Sequence, residues 1–227
     1  IGATRGNVCA LINEEGMIEL SEGSFSIEPM ISVNGQVFTW ADAKPQQSLR
    51  EDWMPIPSVC WNVQHCTFQI EANASDDGAL HISYKATNTS AQVQNIRVFA
   101  AVRPFQVSPP WQRFRDVGGV SRIHQLDWQD GVLSINQQTQ LYTADATRFV
   151  GQAFDEGLLI DALAAESLTN SAHVSDGFGF ANGALVFEFS IEPNETHQVS
   201  WSTSPTGNSI NPWSSKLPTN CITASSW

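Results

Sequence analysis

Apolar and polar residues alternate with a period of two along most of this chain, the pattern of strands with one face turned to a core. From Ile96 to Arg103, Ile96, Val98, Ala100 and Val102 fall on one side and Arg97, Phe99, Ala101 and Arg103 on the other. Cys66 to Ala72 sets Phe68 and Ile70 against Thr67, Gln69 and Glu71, and Asp76-Asp77-Gly78 turns the chain into Leu80, Ile82, Tyr84 and Ala86. Asn88-Thr89-Ser90 reads as the next turn, which would place three consecutive strands side by side. Upstream, the short segments VCALI, MIEL and SFSIEPMI, parted by Glu14-Glu15-Gly16 and Glu22-Gly23, predict a meander. Val33-Asn34-Gly35-Gln36 and Gln129-Asp130-Gly131-Val132 are two-residue hairpins, because Asn-Gly and Asp-Gly supply the positive φ that a type I′ turn needs. Downstream come Leu133 to Ile135 and Leu141 to Val150, then ALVFEFSIEP with Val199 and Trp201 as its final partner.

Three stretches break the rhythm. Between Trp40 and Pro57 a polar segment with Pro45, Pro55 and Pro57 predicts a connector rather than a helix or central strand. Phe154 to Leu168 has acidic residues at its start and Leu159, Leu163 and Ala164 at helical spacing, predicting one short helix. After Arg103-Pro104 the chain leaves its strand for a stiff loop with Pro109-Pro110, closed by Gly118-Gly119 and holding Arg103, Trp111, Arg113 and Arg115. The expected fold class is therefore all-β: a large antiparallel β-sandwich with at most one or two short helices, a jelly roll or open barrel being the alternative. Residues 1–203 form the sandwich domain, and 204–227, polar and punctuated by Pro205, Pro212 and Pro218, read as a tail or linker toward a further domain.

Charge narrows the partners. With 11 basic against 23 acidic residues, net −12, the chain repels nucleic acid and anionic lipid, and no apolar run approaches a bilayer span. It begins without an initiating methionine, as a processed or excised piece of a longer protein would. The four cysteines, Cys9, Cys60, Cys66 and Cys221, lack zinc-site spacing and read as buried thiols, with a Cys60–Cys66 or Cys9–Cys221 disulfide as the alternative. No nucleophile elbow, phosphate-cradling loop or dinucleotide fingerprint occurs, so neither cofactor nor metal is expected.

Several stretches together resemble one family: VNGQVFTWADA (33–43), PIPSVCW (55–61), VRPFQVSPPWQ (102–112), DVGGVSRI (116–123) and VSDGFGFANGALVFEFSIEPNETHQV (174–199). They are similar to the galactose-mutarotase-like "supersandwich" of large bacterial carbohydrate-active proteins, in which the sandwich precedes an (α/α)6 toroid of the six-hairpin glycosidase type. The resemblance implies a carbohydrate context in which the sandwich supports a toroid that holds the catalytic carboxylates. A ring of twelve helices does not fit in this chain. The implied function is a non-catalytic module docking on a partner domain of the same polypeptide and contacting sugar; a stand-alone mutarotase-like epimerase and a structural or protein-binding sandwich are the alternatives. The compartment stays open between bacterial cytoplasm, periplasm and exterior.

The carboxylates Asp42, Asp52, Asp116, Asp127, Asp155 and Asp176 sit near turns, where capping is the ordinary role. An epimerase would need a base and an acid; Glu188 and His81, each opposite an apolar strand face, are what the chain offers, without matching the mutarotase pattern. Sugar binding has better material. Trp111 can cover the apolar side of a pyranose while Arg103, Gln106, Gln112 and Arg113 bond its hydroxyls, and the same groups suit a domain interface; the structural alternative is that Pro109-Pro110-Trp111 plugs the sandwich edge, with the arginines pairing carboxylates such as Asp116.

Overall fold

The computed structural model describes residues 1–2, 9–75, 78–108 and 119–203. In chain order the strands are β1 (Leu11–Ile12), β2 (Ile18–Glu19), β3 (Ser26–Val33), β4 (Gln36–Phe38), β5 (Gln46–Arg50), β6 (Met54–Val63), β7 (Cys66–Ala74) and β8 (Leu80–Asn88). There follow β9 (Gln94–Arg103), β10 (Gln125–Gln129), β11 (Val132–Ile135), β12 (Thr139–Tyr142) and β13 (Arg148–Gln152). A 3-10 turn (Phe154–Glu156) and the helix α1 (Leu159–Ala164) precede β14 (His173–Ser175), β15 (Asn182–Ile191) and β16 (Thr196–Thr203). No described helix is long and apolar enough to cross a membrane.

Two antiparallel sheets face each other. One runs β1-β2-β3-β9-β15-β13 with β4 added on β3; the other runs β14-β10-β11-β12-β16-β8-β7-β6-β5. Their inner faces interlock in one core containing Ile27, Ile31, Val98, Val102, Leu185 and Phe187 from the first sheet and Trp61, Phe68, Ile70, Tyr84, Leu133 and Trp201 from the second. The all-β sandwich is as expected, and so are the two tight hairpins: Val33 pairs Gln36 across Asn34 (φ 51°) and Gly35 (φ 90°), and Gln129 pairs Val132 across Asp130 and Gly131.

Sheet membership departs from the local reading. β9 does not lie beside β8; it pairs with β3 and β15 in the opposite sheet. The reason is Asn88, whose buried side chain donates to the carbonyls of Gln92 and Ile191 and accepts from Ser90, while its backbone is bonded to Glu195 and Asn194. One residue thus ties together two crossings between the sheets, β8 to β9 and β15 to β16. By the second crossing β16 leaves β15 and pairs with β8 and β12. The Leu141–Val150 stretch likewise divides into β12 and β13 in different sheets, with Ser200 holding the crossing through Thr143 and Asp145.

The Trp40–Pro57 connector contains β5 and the start of β6. Pro55 and Pro57 fit because β6 meets β7 only from Ser58 onward, so no ladder partner on that side needs their absent N–H. The helix is shorter than predicted, since Gly157 at φ 114° separates the 3-10 turn from α1. Leu159 and Leu163 nevertheless face inward, and with Leu168 they bury Met30, Phe99, Ala101, Val150, Ala184 and Val186 in a second core on the outer face of the seven-stranded sheet. Phe99 and Ala101 are therefore as buried as the Val98 face, and β9 is a central strand covered on both sides.

The Cys60–Cys66 disulfide is excluded. Cys60 lies opposite Gln69 on the outer face, whereas Cys66 is in the core opposite Val63. Cys9, expected to be buried, is exposed. Burial pushes the Cys66 thiol up to about 11 and also raises Cys60, so in a Cys221→Ser variant an aromatic disulfide reagent at pH 8 should modify Cys9 rapidly and Cys66 only on unfolding. Equal rates for all three thiols would contradict this placement.

Candidate binding surface

β9 delivers Arg103 to the outer face at the end of the seven-stranded sheet, paired with Ser26. One step beyond the Val102–Gly183 pair, Arg103 is level with Asn182, which in turn pairs with Gln152. The guanidinium carbon of Arg103 lies 5.9 Å from the ring centroid of Phe105. Beside it, burial pushes the Glu28 carboxyl above the ordinary glutamate range; the Arg103 charge opposes the rise and Glu15 adds to it. Arg103 Nε, Gln106 Oε1 and Gln152 Oε1 are buried without a hydrogen-bond partner among the described residues. Such groups, costly when left unpaired, are where a polar ligand or partner gains most.

The root of the loop is built to hold still. Glu19 is 1% exposed, and its carboxylate accepts from the N–H groups of Val107 and Ser108 at 2.8 Å each, from Ser108 Oγ at 3.0 Å and from the Gly23 N–H. Gln106 donates from its amide to the carbonyls of Gly23 and Val120 and from its backbone to Gly119. Phe105 bridges Val120, and the Ser121 N–H reaches Pro104 O, so the two ends of the loop are clipped together. Of the predicted contact residues, Arg103 and Gln106 are brought together here; Trp111, Gln112 and Arg113 lie outside the described residues.

The same end carries an aromatic group that sequence reasoning missed. The strip Val120–Ile123 runs from Phe105 to Phe180, which it meets through the Ile123–Phe180 bridge. Asp176, nearly buried, accepts from the N–H groups of Phe154 (2.6 Å), Phe178 (2.8 Å) and Phe180 (3.3 Å). The bond from Phe154, with those from Phe180, Phe178 and Gly179, outweighs desolvation and holds its carboxyl below the ordinary aspartate range. That stabilisation is present above the ordinary aspartate pKa and is lost as pH falls through the lowered value. Phe154 and Phe178 are 62% and 73% exposed. The Phe154 and Phe180 rings stand 5.4 Å apart, and the Arg122 guanidinium lies 5.8 Å from the Phe180 ring while donating to Phe178 O. Gly179, at φ 80°, leaves room for this: a Cβ there would come within 2.8 Å of Arg122 Cβ.

The proton-transfer candidates are kept apart. Glu188 lies on the outer face of the seven-stranded sheet, paired with Arg97 at 3.1 Å and Arg148 at 2.7 Å, and those arginines also bond the carbonyls of Ala165, Glu166 and Leu168 that follow α1. His81 is on the outer face of the other sheet, its Nε2 3.1 Å from Ser75 Oγ. The whole core separates them, so they cannot act as one base–acid pair. On that second face Glu71 is buried; desolvation raises its pKa, but hydrogen bonds and charge from Arg50 and Lys85, each 3.1 Å away, prevail and leave it lowered. Asp42 caps Thr39, and Asp127 pairs with His173 at 2.6 Å near a sheet edge. Among the described residues no group of three or more His, Cys, Asp or Glu could hold a metal ion.

No family model matches the chain, and no curated protein matches it. Among solved structures, a polysaccharide lyase is similar over 84% of this chain and 26% of its own, at 13% identity and a TM-score of 0.43. A protein from the human microbiome assigned as a kojibiose phosphorylase is similar over 91% and 27%, at 9% identity and 0.44. A galactose mutarotase related enzyme from Lactobacillus acidophilus is similar over 87% and 94%, at 9% identity and 0.36. The chain spans about a quarter of the first two proteins. With TM-scores below 0.5, none of these likenesses bears on what this chain does.

Proposed function

We propose that this chain is the non-catalytic β-sandwich module of a larger carbohydrate-active protein, and that the Arg103 end of the sandwich meets a neighbouring domain and sugar. One observation carries the reading: a buried carboxylate, Glu19, is committed to fixing the root of an outer loop that presents Arg103, Phe105 and Gln106. A loop root fixed before binding loses little further entropy at those residues when a partner arrives. Arginine beside an aromatic ring, with an amide nearby, suits both sugar hydroxyls and interface cores. The motifs RPFQVSPPW and GGVSRI, which begin and end this loop, supply the carbohydrate context, and Trp111, Gln112 and Arg113 belong to the same proposed surface.

Titration with a panel of neutral oligosaccharides, followed by tryptophan fluorescence, tests the sugar contact. A saturable change is expected for at least one sugar, and Arg103→Ala should weaken it about tenfold, the effect of losing one central contact. Silence across the panel, or equal affinity in wild type and Arg103→Ala, overturns it.

A further inference from the structure

We propose that Phe154 and Phe178 form an aromatic platform for the apolar ring face of a neutral pyranose chain, a second sugar contact at the same end of the sandwich; this rests on the carbohydrate reading above. Phe154 and Phe178 are both exposed, and both backbones are fixed by one nearly buried carboxylate, Asp176. The backbone positions that carry both rings are therefore set before any ligand arrives, and the Phe154 ring also packs on Phe180. Beside them Arg122 and His124 are exposed, and Arg122 is anchored through its bond to Phe178 O, so a guanidinium N–H group lies next to the Phe178 backbone. Ring face plus bordering donor is what a pyranose needs, with C–H groups on one side and hydroxyls at the rim.

A second copy of this chain would bring another net charge of −12 to the contact, which argues against self-association as the occupant. Both signs flank the rings, Asp155 and Glu156 beside Phe154 and Arg122 beside Phe178, which favours a neutral ligand over a charged one.

Affinity electrophoresis through gels containing a soluble β-glucan, xylan, galactomannan or dextran tests this, with wild type, Phe154→Ala, Phe178→Ala and Arg103→Ala compared. Alanine at the two exposed rings should leave the melting temperature within a degree or two of wild type. The expected result is retardation of wild type by at least one polysaccharide, weakened about tenfold in each phenylalanine variant. If the phenylalanine variants run like wild type while Arg103→Ala is released, the platform falls and the loop reading stands. If the phenylalanine variants are released while Arg103→Ala is not, the platform stands and the loop reading falls; release of all three supports both. No retardation of wild type in any gel, or self-association in sedimentation that Phe178→Ala abolishes, overturns the platform.

Discussion

Glu19→Ala is expected to destabilise the protein by about 3 kcal/mol and to lower its melting temperature by roughly 6–12 °C. The carboxylate is almost wholly removed from water and accepts from Gly23, Val107 and both donors of Ser108. Alanine leaves these donors facing a void, and charge-assisted bonds of this kind are each worth about 1.5–3 kcal/mol but do not add fully. Glu19→Gln should lose less, since its amide oxygen still accepts while its NH₂ opposes N–H donors. Hydrogen exchange should report the change locally, with protection falling at Val107 and Ser108 before the strands of either sheet. A variant within about 0.5 kcal/mol of wild type, the range of an ordinary surface change, would show that Glu19 does not anchor the loop.

Trp61→Ala should cost about 4 kcal/mol in urea unfolding. Trp61 is fully buried in β6, packs edge-on against Phe68 with centroids 5.5 Å apart, and donates its indole N–H to Glu15 O at 3.1 Å. Its removal opens a cavity and unpairs the carbonyl of the turn between β1 and β2. Trp61→Phe keeps most of the apolar contact and forfeits the hydrogen bond, so a loss of about 1–2 kcal/mol is expected there. Equal stability of the alanine and phenylalanine variants would mean that the site collapses around the gap, and that the ring does not key the two sheets together.

How far the sequence could be read follows from the range of the forces involved. The hairpins at Asn34-Gly35 and Asp130-Gly131 were legible because turn chemistry is a property of adjacent residues. Which sheet a strand joins was not, because Asn88 decides two crossings through bonds to Ile191 and Asn194, about a hundred positions away. The prolines of β6 misled for a related reason: their effect depends on whether β7 reaches that far along the strand. The helix was legible in its buried leucines, and Gly157 within the predicted span carried the signal for its shortening.

The same division holds at the binding surface. Arg103 was readable as the end of a strand entering a stiff loop, and it stands there beside Gln106. Glu19 gave no sign of its role, because a glutamate in MIEL looks like any polar strand position until Val107 and Ser108 are folded against it. Asp176 carried a partial signal in DGFGF, an acid followed by alternating aromatics and glycines, but its bond to Phe154 spans 22 residues. His81 and Glu188 were each read as lying opposite the inward apolar residues of their strands, and only the assignment of β8 and β15 to different sheets shows that they face away from each other.

The most direct test of the Arg103 end as the contact surface is a ¹⁵N–¹H correlation spectrum of the isotope-labelled chain recorded during titration with neutral oligosaccharides. The account predicts that shifts concentrate at Arg103–Ser108 and at Gly119–Ile123. Shifts concentrated instead on the outer face of the nine-stranded sheet, around Glu71, His81 and Lys85, or no shifts with any sugar, would contradict it.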